Sequence, residues 1–177
     1  IKIYNTSPLM KQLKLIAILL VLLVIGFYID NFILDLINVV RTELLNNFFI
    51  LFSRYFNYYV LALIITIVPL FKNDKLKNLL KLWLSFLTAG ILVFILKLIV
   101  QRPRPLINLI ETVNSSFPSG HTAIMFALLP VIYKNFKEIK YIWLVLCLFV
   151  ALSRIYLSVH HFSDIIGGII LGTFIGI

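Results

Sequence analysis

The 177 residues are 62% hydrophobic, with a mean hydropathy of +1.06, one cysteine (Cys147) and a net charge of +9 from 16 Lys and Arg against seven Asp and Glu. This is too apolar for a soluble domain of its size, and one cysteine excludes an intramolecular disulfide. The basic excess gives no support for nucleic-acid binding, because the cations gather at the ends of apolar runs, where they set orientation in a membrane.

A spanning helix takes roughly 20 apolar residues, and six stretches approach that length: about 13–29, 55–71, 80–100, 119–133, 141–157 and 161–177. The expected fold class is therefore all-α: a polytopic membrane protein with six transmembrane helices in a single domain, residues 1–177. Residues 1–9, ahead of Met10, read as a candidate leader. The first stretch is too long for the apolar core of a signal peptide and no small-residue cleavage site follows it, so it is expected to be a retained span. Between the first two spans, residues 30–54 mix apolar and polar positions. Phe32, Leu36, Val39 and Val40 fit one helical stripe, which predicts an amphipathic helix resting on the outer membrane surface. Ser53-Arg54 opens like the later Ser153-Arg154, but Val60 stands where a histidine would be needed, and no chemistry is assigned to it.

Ten of the 16 cations fall at alternate span ends: Lys2, Lys11 and Lys14; Lys72, Lys75, Lys77 and Lys81; Lys134, Lys137 and Lys140. The positive-inside rule puts these on the cytoplasmic side, with both termini inside. The remaining six, Arg41, Arg54, Lys97, Arg102, Arg104 and Arg154, belong to the outer side.

Three polar clusters meet that outer face. The third span ends in Lys97-Leu-Ile-Val-Gln-Arg-Pro-Arg-Pro105, where the prolines should end the helix and leave Lys97 and Arg104 able to reach one pocket. Taken alone, this is an ordinary interfacial cluster with a snorkelling lysine. Pro118-Ser119-Gly120-His121 precedes the fourth span. There a glycine lets backbone N–H groups and the positive end of a helix approach an anion, although the tetrapeptide alone reads as a Pro/Gly turn with a serine cap. Ser153-Arg-Ile-Tyr-Leu-Ser-Val-His-His-Phe-Ser-Asp164 packs an arginine, two histidines and a carboxylate between two apolar spans, where charge persists only if paired or used. On a helix, His160 and Asp164 stand at i, i+4, close enough for the carboxylate to hold an imidazole nitrogen. A tight reversal at Ile155–Val159 would let Arg154 face the same site. Together the clusters offer three cations, backbone donors, two histidines and a carboxylate, the equipment for metal-free phosphoryl transfer. No metal and no cofactor are expected: no carboxylate beyond Asp164 lies in the clusters, and three cations repel a divalent ion.

These residues resemble the type 2 phosphatidic acid phosphatase superfamily. Lys97-x6-Arg104-Pro105, Pro118-Ser119-Gly120-His121 and Ser153-Arg154-x5-His160-x3-Asp164 match its three signature motifs, across residues 97 to 164; the first two spans match only in hydropathy. The resemblance implies that His160 attacks phosphorus to form a phosphohistidine, with Asp164 orienting it. His121 then protonates the leaving oxygen and later activates water. It also implies that Lys97, Arg104 and Arg154, with Ser119 and the Gly120 N–H, bind the phosphate oxygens. The motif spacing selects His160 over His161, for which packing or an interfacial role is expected.

The expected function is hydrolysis of a lipid phosphomonoester or pyrophosphate at the periplasmic face of a bacterial inner membrane. The expected partners are a lipid phosphate substrate and the bilayer, with no obligate protein partner. The compact chain leans to the lipid A 1-phosphatases. Phosphatidylglycerophosphate or undecaprenyl pyrophosphate hydrolysis, a lipid phosphotransferase, and a non-catalytic anionic-lipid transporter or scaffold are the alternatives. Haloperoxidase chemistry is disfavoured by the membrane-embedded frame.

Overall fold

The computed structural model describes residues 8–71 and 74–176; Lys2, Lys72, the side chain of Lys11 and most of the candidate leader lie outside the described residues. The fold is all-helical, with no strand among the described residues. In order it comprises α1 (Pro8–Val40), α2 (Glu43–Tyr55), α3 (Tyr58–Ile67, extended by a 3₁₀ turn Val68–Phe71), α4 (Lys75–Val100), α5 (Gly120–Asn135), α6 (Lys140–Tyr156) and α7 (Phe162–Gly176).

The expected division at residue 30 is corrected. No Gly or Pro interrupts the chain between Gly26 and Val40, so α1 continues for 33 residues, roughly 50 Å at 1.5 Å per residue. Phe32, Leu36, Val39 and Val40 form the exposed side of its last turns. The amphipathic element is α2, whose start is capped by Thr42 accepting from the Leu45 N–H at 3.3 Å and whose Phe49 is buried. Asn57 then breaks the chain, its side chain accepting from the N–H groups of Tyr59 and Val60, and α2 and α3 meet at a bend of 56°.

Among the described residues two helices are long and apolar enough to cross a membrane, Ala17–Val40 and Lys75–Val100, or three if the bent α2–α3 pair counts as one span. Their outer surfaces carry Val24, Phe27, Leu87, Ile91 and Phe94 in the open, as a lipid-facing surface should. α5, α6 and α7, of 16, 17 and 15 residues, are shorter and much more enclosed. α5 is the centre of the fold: Ile124, Met125, Ala127 and Leu128 are buried against Leu61 and Ile65 of α3, Leu82 and Ala89 of α4, and Trp143, Cys147 and Val150 of α6. Trp143 and Cys147 both donate to the Met125 carbonyl, in the turn before Pro130.

α7 packs on α5 through Gly168, Gly172 and Gly176, spaced four apart on one face. A Cβ at Gly168 would lie 2.8 Å from the Ser119 carbonyl oxygen, and one at Gly172 would strike the α5 backbone. This stripe brings the first turn of α7, with Asp164, against the start of α5, with His121. The reversal expected at Ile155–Val159 falls slightly later: α6 runs through Tyr156, and the turn occupies 157–161 with Ser158 in the left-handed region at φ 49°. Arg41 holds that turn, donating to the Tyr156 carbonyl at 3.0 Å and the Ser158 hydroxyl at 2.8 Å.

Candidate active site

The ends of six helices converge: the C-termini of α4 and α6, the N-termini of α5 and α7, and the Ser53–Tyr58 corner where α2 ends and α3 begins. They enclose a cavity of about 330 Å³ lined by Lys97, Arg104, Gly120, His121, Arg154 and His160, together with Ser53, Asn57 and Tyr58. Six of the eight residues expected from sequence therefore share one wall. The other two, Asp164 and Ser119, lie behind it.

α4 stops at Val100 because Gln101 turns left-handed at φ 48° and two prolines follow. The chain leaves the helix, yet both cations reach the cavity. Lys97 Nζ donates to the Ser115 carbonyl. Arg104 donates through Nε to the Asn114 carbonyl at 2.9 Å and through Nη1 to the Val159 carbonyl at 2.6 Å. Arg154 receives its orientation from Ser153, whose hydroxyl accepts from Nε at 3.1 Å and donates to the Val150 carbonyl. Its Nη2 is buried without a hydrogen bond among the described residues. All three cations thus pair with carbonyls or hydroxyls, and no carboxylate among the described residues forms a salt bridge with them. Burial lowers the Arg104 pKa from its ordinary value, a cost that an arriving anion would offset.

At the start of α5 the first N–H groups have no intrahelical acceptor, and Gly120 and His121 line the cavity there. The His121 ring stacks on Tyr58, with centroids 4.1 Å apart. Ser119 departs from the expectation. It is fully buried, its hydroxyl lies 3.0 Å from the Thr122 hydroxyl, and it does not line the cavity. Its backbone N–H donates to the Asp164 carbonyl at 3.0 Å, tying α5 to α7.

His160 sits in the turn before α7, two residues ahead of the helix. Its Nδ1 faces Asp164 Oδ2 at 3.5 Å, a separation at which no hydrogen bond has closed. Such contacts are commonly loose in a free site and tighten when charge develops. Burial pushes the His160 pKa down to about 4, against the pull of Asp164, with Arg104 and Lys97 adding to the fall. The ring is therefore neutral at pH 7, and with Nδ1 towards the carboxylate, Nε2 is the nitrogen free to act.

Asp164 is fully buried. As the third residue of α7 it reaches back to accept the His161 N–H at 2.8 Å, the reciprocal half of a capping box. His161 Nδ1 lies 3.4 Å from the same oxygen, but His161 lines a second cavity of about 320 Å³ on the α1 side, with Asn31, Asp35 and Asn38.

Two neighbours of the site residues are not apparent in the motifs. Tyr58, stacked on His121, belongs to a segment given no chemistry, although the cluster Asn57-Tyr58-Tyr59 after Ser53 was a visible signal. Arg102 is the other: its Nη1 donates to Asp164 Oδ1 at 2.6 Å and its Nη2 to Asp30 at 2.7 Å. The expectation that no carboxylate beyond Asp164 joins the clusters is thereby corrected, because Asp30 lies on the extended α1 rather than in a linker. Among the described residues no group of three or more His, Cys, Asp or Glu is arranged to hold a metal ion.

Residues 78–177 match the PAP2 superfamily. The chain belongs to that superfamily. Its structure resembles the PAP2-type phosphatidylglycerolphosphate phosphatase of Bacillus subtilis, with a TM-score of 0.75, 26% identity, and coverage of 91% of this chain and 92% of that one. It also resembles LpxE of Aquifex aeolicus, with a TM-score of 0.73, 30% identity, and coverage of 84% and 92%. In sequence it is 29% identical over 161 residues to the undecaprenyl-diphosphatase of Sulfolobus acidocaldarius, covering 85% of this chain and 76% of that protein. Two Bacillus proteins match over shorter stretches, and the chain spans 30% and 50% of their lengths.

Proposed function

We propose that this PAP2 protein is a membrane phosphatase that hydrolyses a lipid phosphomonoester or pyrophosphate through a phosphohistidine. The observation that carries the reading is the single cavity in which three cations without carboxylate partners surround a neutral, buried imidazole. A tetrahedral phosphate supplies the missing counter-charge. Lys97, Arg104 and Arg154 hold its oxygens, with the Gly120 N–H at the start of α5 as a further donor.

His160 Nε2 attacks phosphorus as the bond to the leaving oxygen breaks, and His121 delivers a proton to that oxygen. The ring gains positive charge in the step, which draws Nδ1–H onto Asp164. His121, now unprotonated, takes a proton from water, whose oxygen attacks the phosphohistidine and releases inorganic phosphate. No step needs a metal, and the cations already provide the electrostatic stabilisation such a transfer requires.

The site opens at one end of the bundle. The described lysines Lys14, Lys75, Lys77, Lys81, Lys134, Lys137 and Lys140 lie towards the opposite helix ends, which supports an extracytoplasmic site with both termini inside; the bacterial sources of the two structural relatives support a bacterial inner membrane. Six crossings follow if α3 with its 3₁₀ extension and the short α5, α6 and α7 each traverse the bilayer within one domain, with α2 as the interfacial element. The substrate then presents its head group from the outer leaflet. Its identity is one of three lipids: phosphatidylglycerophosphate and undecaprenyl diphosphate, supported by the relatives' names, or lipid A 1-phosphate, supported by the resemblance of the compact core.

The test is phosphate release from those three lipids by purified protein, with and without chelator. Turnover without any acceptor lipid, unaffected by chelator and reduced by about 10⁴-fold or more in His160→Ala, is the expected result. Dependence on a second lipid as acceptor would make it a phosphotransferase. Absence of turnover on every lipid would leave anionic-lipid binding as the function.

A further inference from the structure

Behind His160, on the side away from the cavity, a second ionic cluster joins α1 to the catalytic turn. Asp30 is 3% exposed, although it ends a long apolar run. Its Oδ1 accepts the Ser163 N–H at 2.8 Å, in the first turn of α7, and its Oδ2 accepts the Ser163 hydroxyl at 2.5 Å and Arg102 Nη2 at 2.7 Å. Arg102 uses its other arm on Asp164 Oδ1 at 2.6 Å and the Ser163 hydroxyl at 2.6 Å, and its guanidinium lies 4.8 Å from the centre of the Phe27 ring. Gly26, one turn before Asp30, lets α1 come this close: a Cβ there would stand 3.2 Å from the Ser163 backbone.

We infer that Asp30 and Arg102 are positioning residues for the proposed nucleophile, a charge-balanced clamp through which α1 sets the orientation and strength of Asp164 and thereby of His160. The inference rests on the phosphohistidine reading. Arg102 fixes one oxygen of Asp164 and turns the other towards the imidazole. Alone, that guanidinium would also neutralise the carboxylate that must stabilise the imidazolium as the phosphohistidine forms. Asp30 returns a negative charge to the cluster, so that Asp164 keeps its hold on His160.

The charges imply opposite consequences for the two removals. Asp30→Asn leaves Arg102 unopposed, disfavours protonation of His160 and moves its titration to lower pH. Arg102→Gln removes a cation and moves it to higher pH. Each shift should be at least about half a pH unit, the size of one unit charge acting over several ångström at a buried site. Arg102→Lys keeps the charge and should stay near the wild-type titration while losing the two-armed grip. The other groups facing His160 are unchanged throughout: Asp164 of α7, His121 of α5, Lys97 of α4 and Arg154 of α6. Tyr58 of α3, Arg104 of the connecting segment and His161 of the same turn complete that environment.

The experiment has two arms on the full chain in detergent micelles. Imidazole ¹⁵N NMR, tractable with three histidines, reads the His160 titration in wild type and in the three variants without requiring turnover. The acid limb and the split of kcat from KM on a lipid phosphate read the same clamp in the working enzyme. Shifts of opposite sign, with kcat down roughly ten- to a hundredfold and KM little changed, are expected, as for outer partners that orient a ligating histidine. If Asp30 and Arg102 only hold α1 in place, both changes loosen the turn and move His160 in one direction, towards the ordinary histidine value. That result overturns the inference. A wild type inactive on all lipids would sink the phosphatase reading, while the titration arm would still decide the clamp.

Discussion

Arg102 and Arg104 are two residues apart, separated by Pro103, and they serve opposite sides of the same histidine. Arg104 faces the cavity and donates only to carbonyls, so its charge is open to an anion. Arg102 does not line that cavity and is bound by two carboxylates and a serine. Both are partly buried, and their partners are what separates them. A cation behind the imidazole, with no access to substrate, must carry its own counter-charge to be tolerated there, whereas one in front can leave that place for the phosphate.

The largest effect that would break this contrast is on the front side. Arg104→Ala is expected to lower kcat/KM by roughly 10²- to 10³-fold, the usual loss when one preorganised group aimed at developing charge is removed. Steady-state kinetics on the preferred lipid phosphate measures it. A loss no greater than that of Arg102→Gln would mean that the two arginines do not divide the work as their partners indicate.

The pH dependence sharpens the same contrast. Burial and the front-side cations hold His160 at about 4 instead of the ordinary 6.5. Attack requires the neutral ring, so protonation of His160 should give kcat/KM of the free enzyme an acid limb that falls tenfold per unit below about 4. Folding stability attached to this group is present above pH 6.5. It is lost as pH falls towards 4, because the unfolded chain takes up the proton first. An activity limb near 6.5 would mean that His160 is not the buried nucleophile, or that Asp164 outweighs desolvation.

The front side was legible in the sequence, because Lys97, Arg104, His121, Arg154 and His160 each belong to a short motif and all five line one cavity. Local rules sufficed there: prolines end α4, and a glycine opens α5. The back side was not legible. Asp30 meets Arg102 across 72 positions and Ser163 across 133, and nothing in a local pattern pairs residues so distant. One clue was physical: a carboxylate at the end of a long apolar run needs a partner. Treating residue 30 as the start of a surface connector hid it. Tyr58 escaped for a similar reason, since its stacking on His121 depends on the bend that Asn57 introduces between α2 and α3.

Ser119 gives the smallest effect and the finest test of where the front side ends. The motif makes its hydroxyl a phosphate donor, whereas in the structure that hydroxyl is fully buried against Thr122. Removing it deletes one neutral hydrogen bond within the first turn of α5, worth about 1 kcal/mol of stability, and leaves the Gly120 N–H at the cavity untouched. Ser119→Ala should therefore change kcat/KM by less than about threefold, because no charge-assisted bond to phosphate is lost, while Thr122→Val weakens stability by a similar amount through the other end of the same bond. A tenfold or larger loss of kcat/KM in Ser119→Ala alone would mean that the serine turns to the phosphate when substrate arrives. The boundary between binding wall and helix core would then lie one residue earlier than the free geometry draws it.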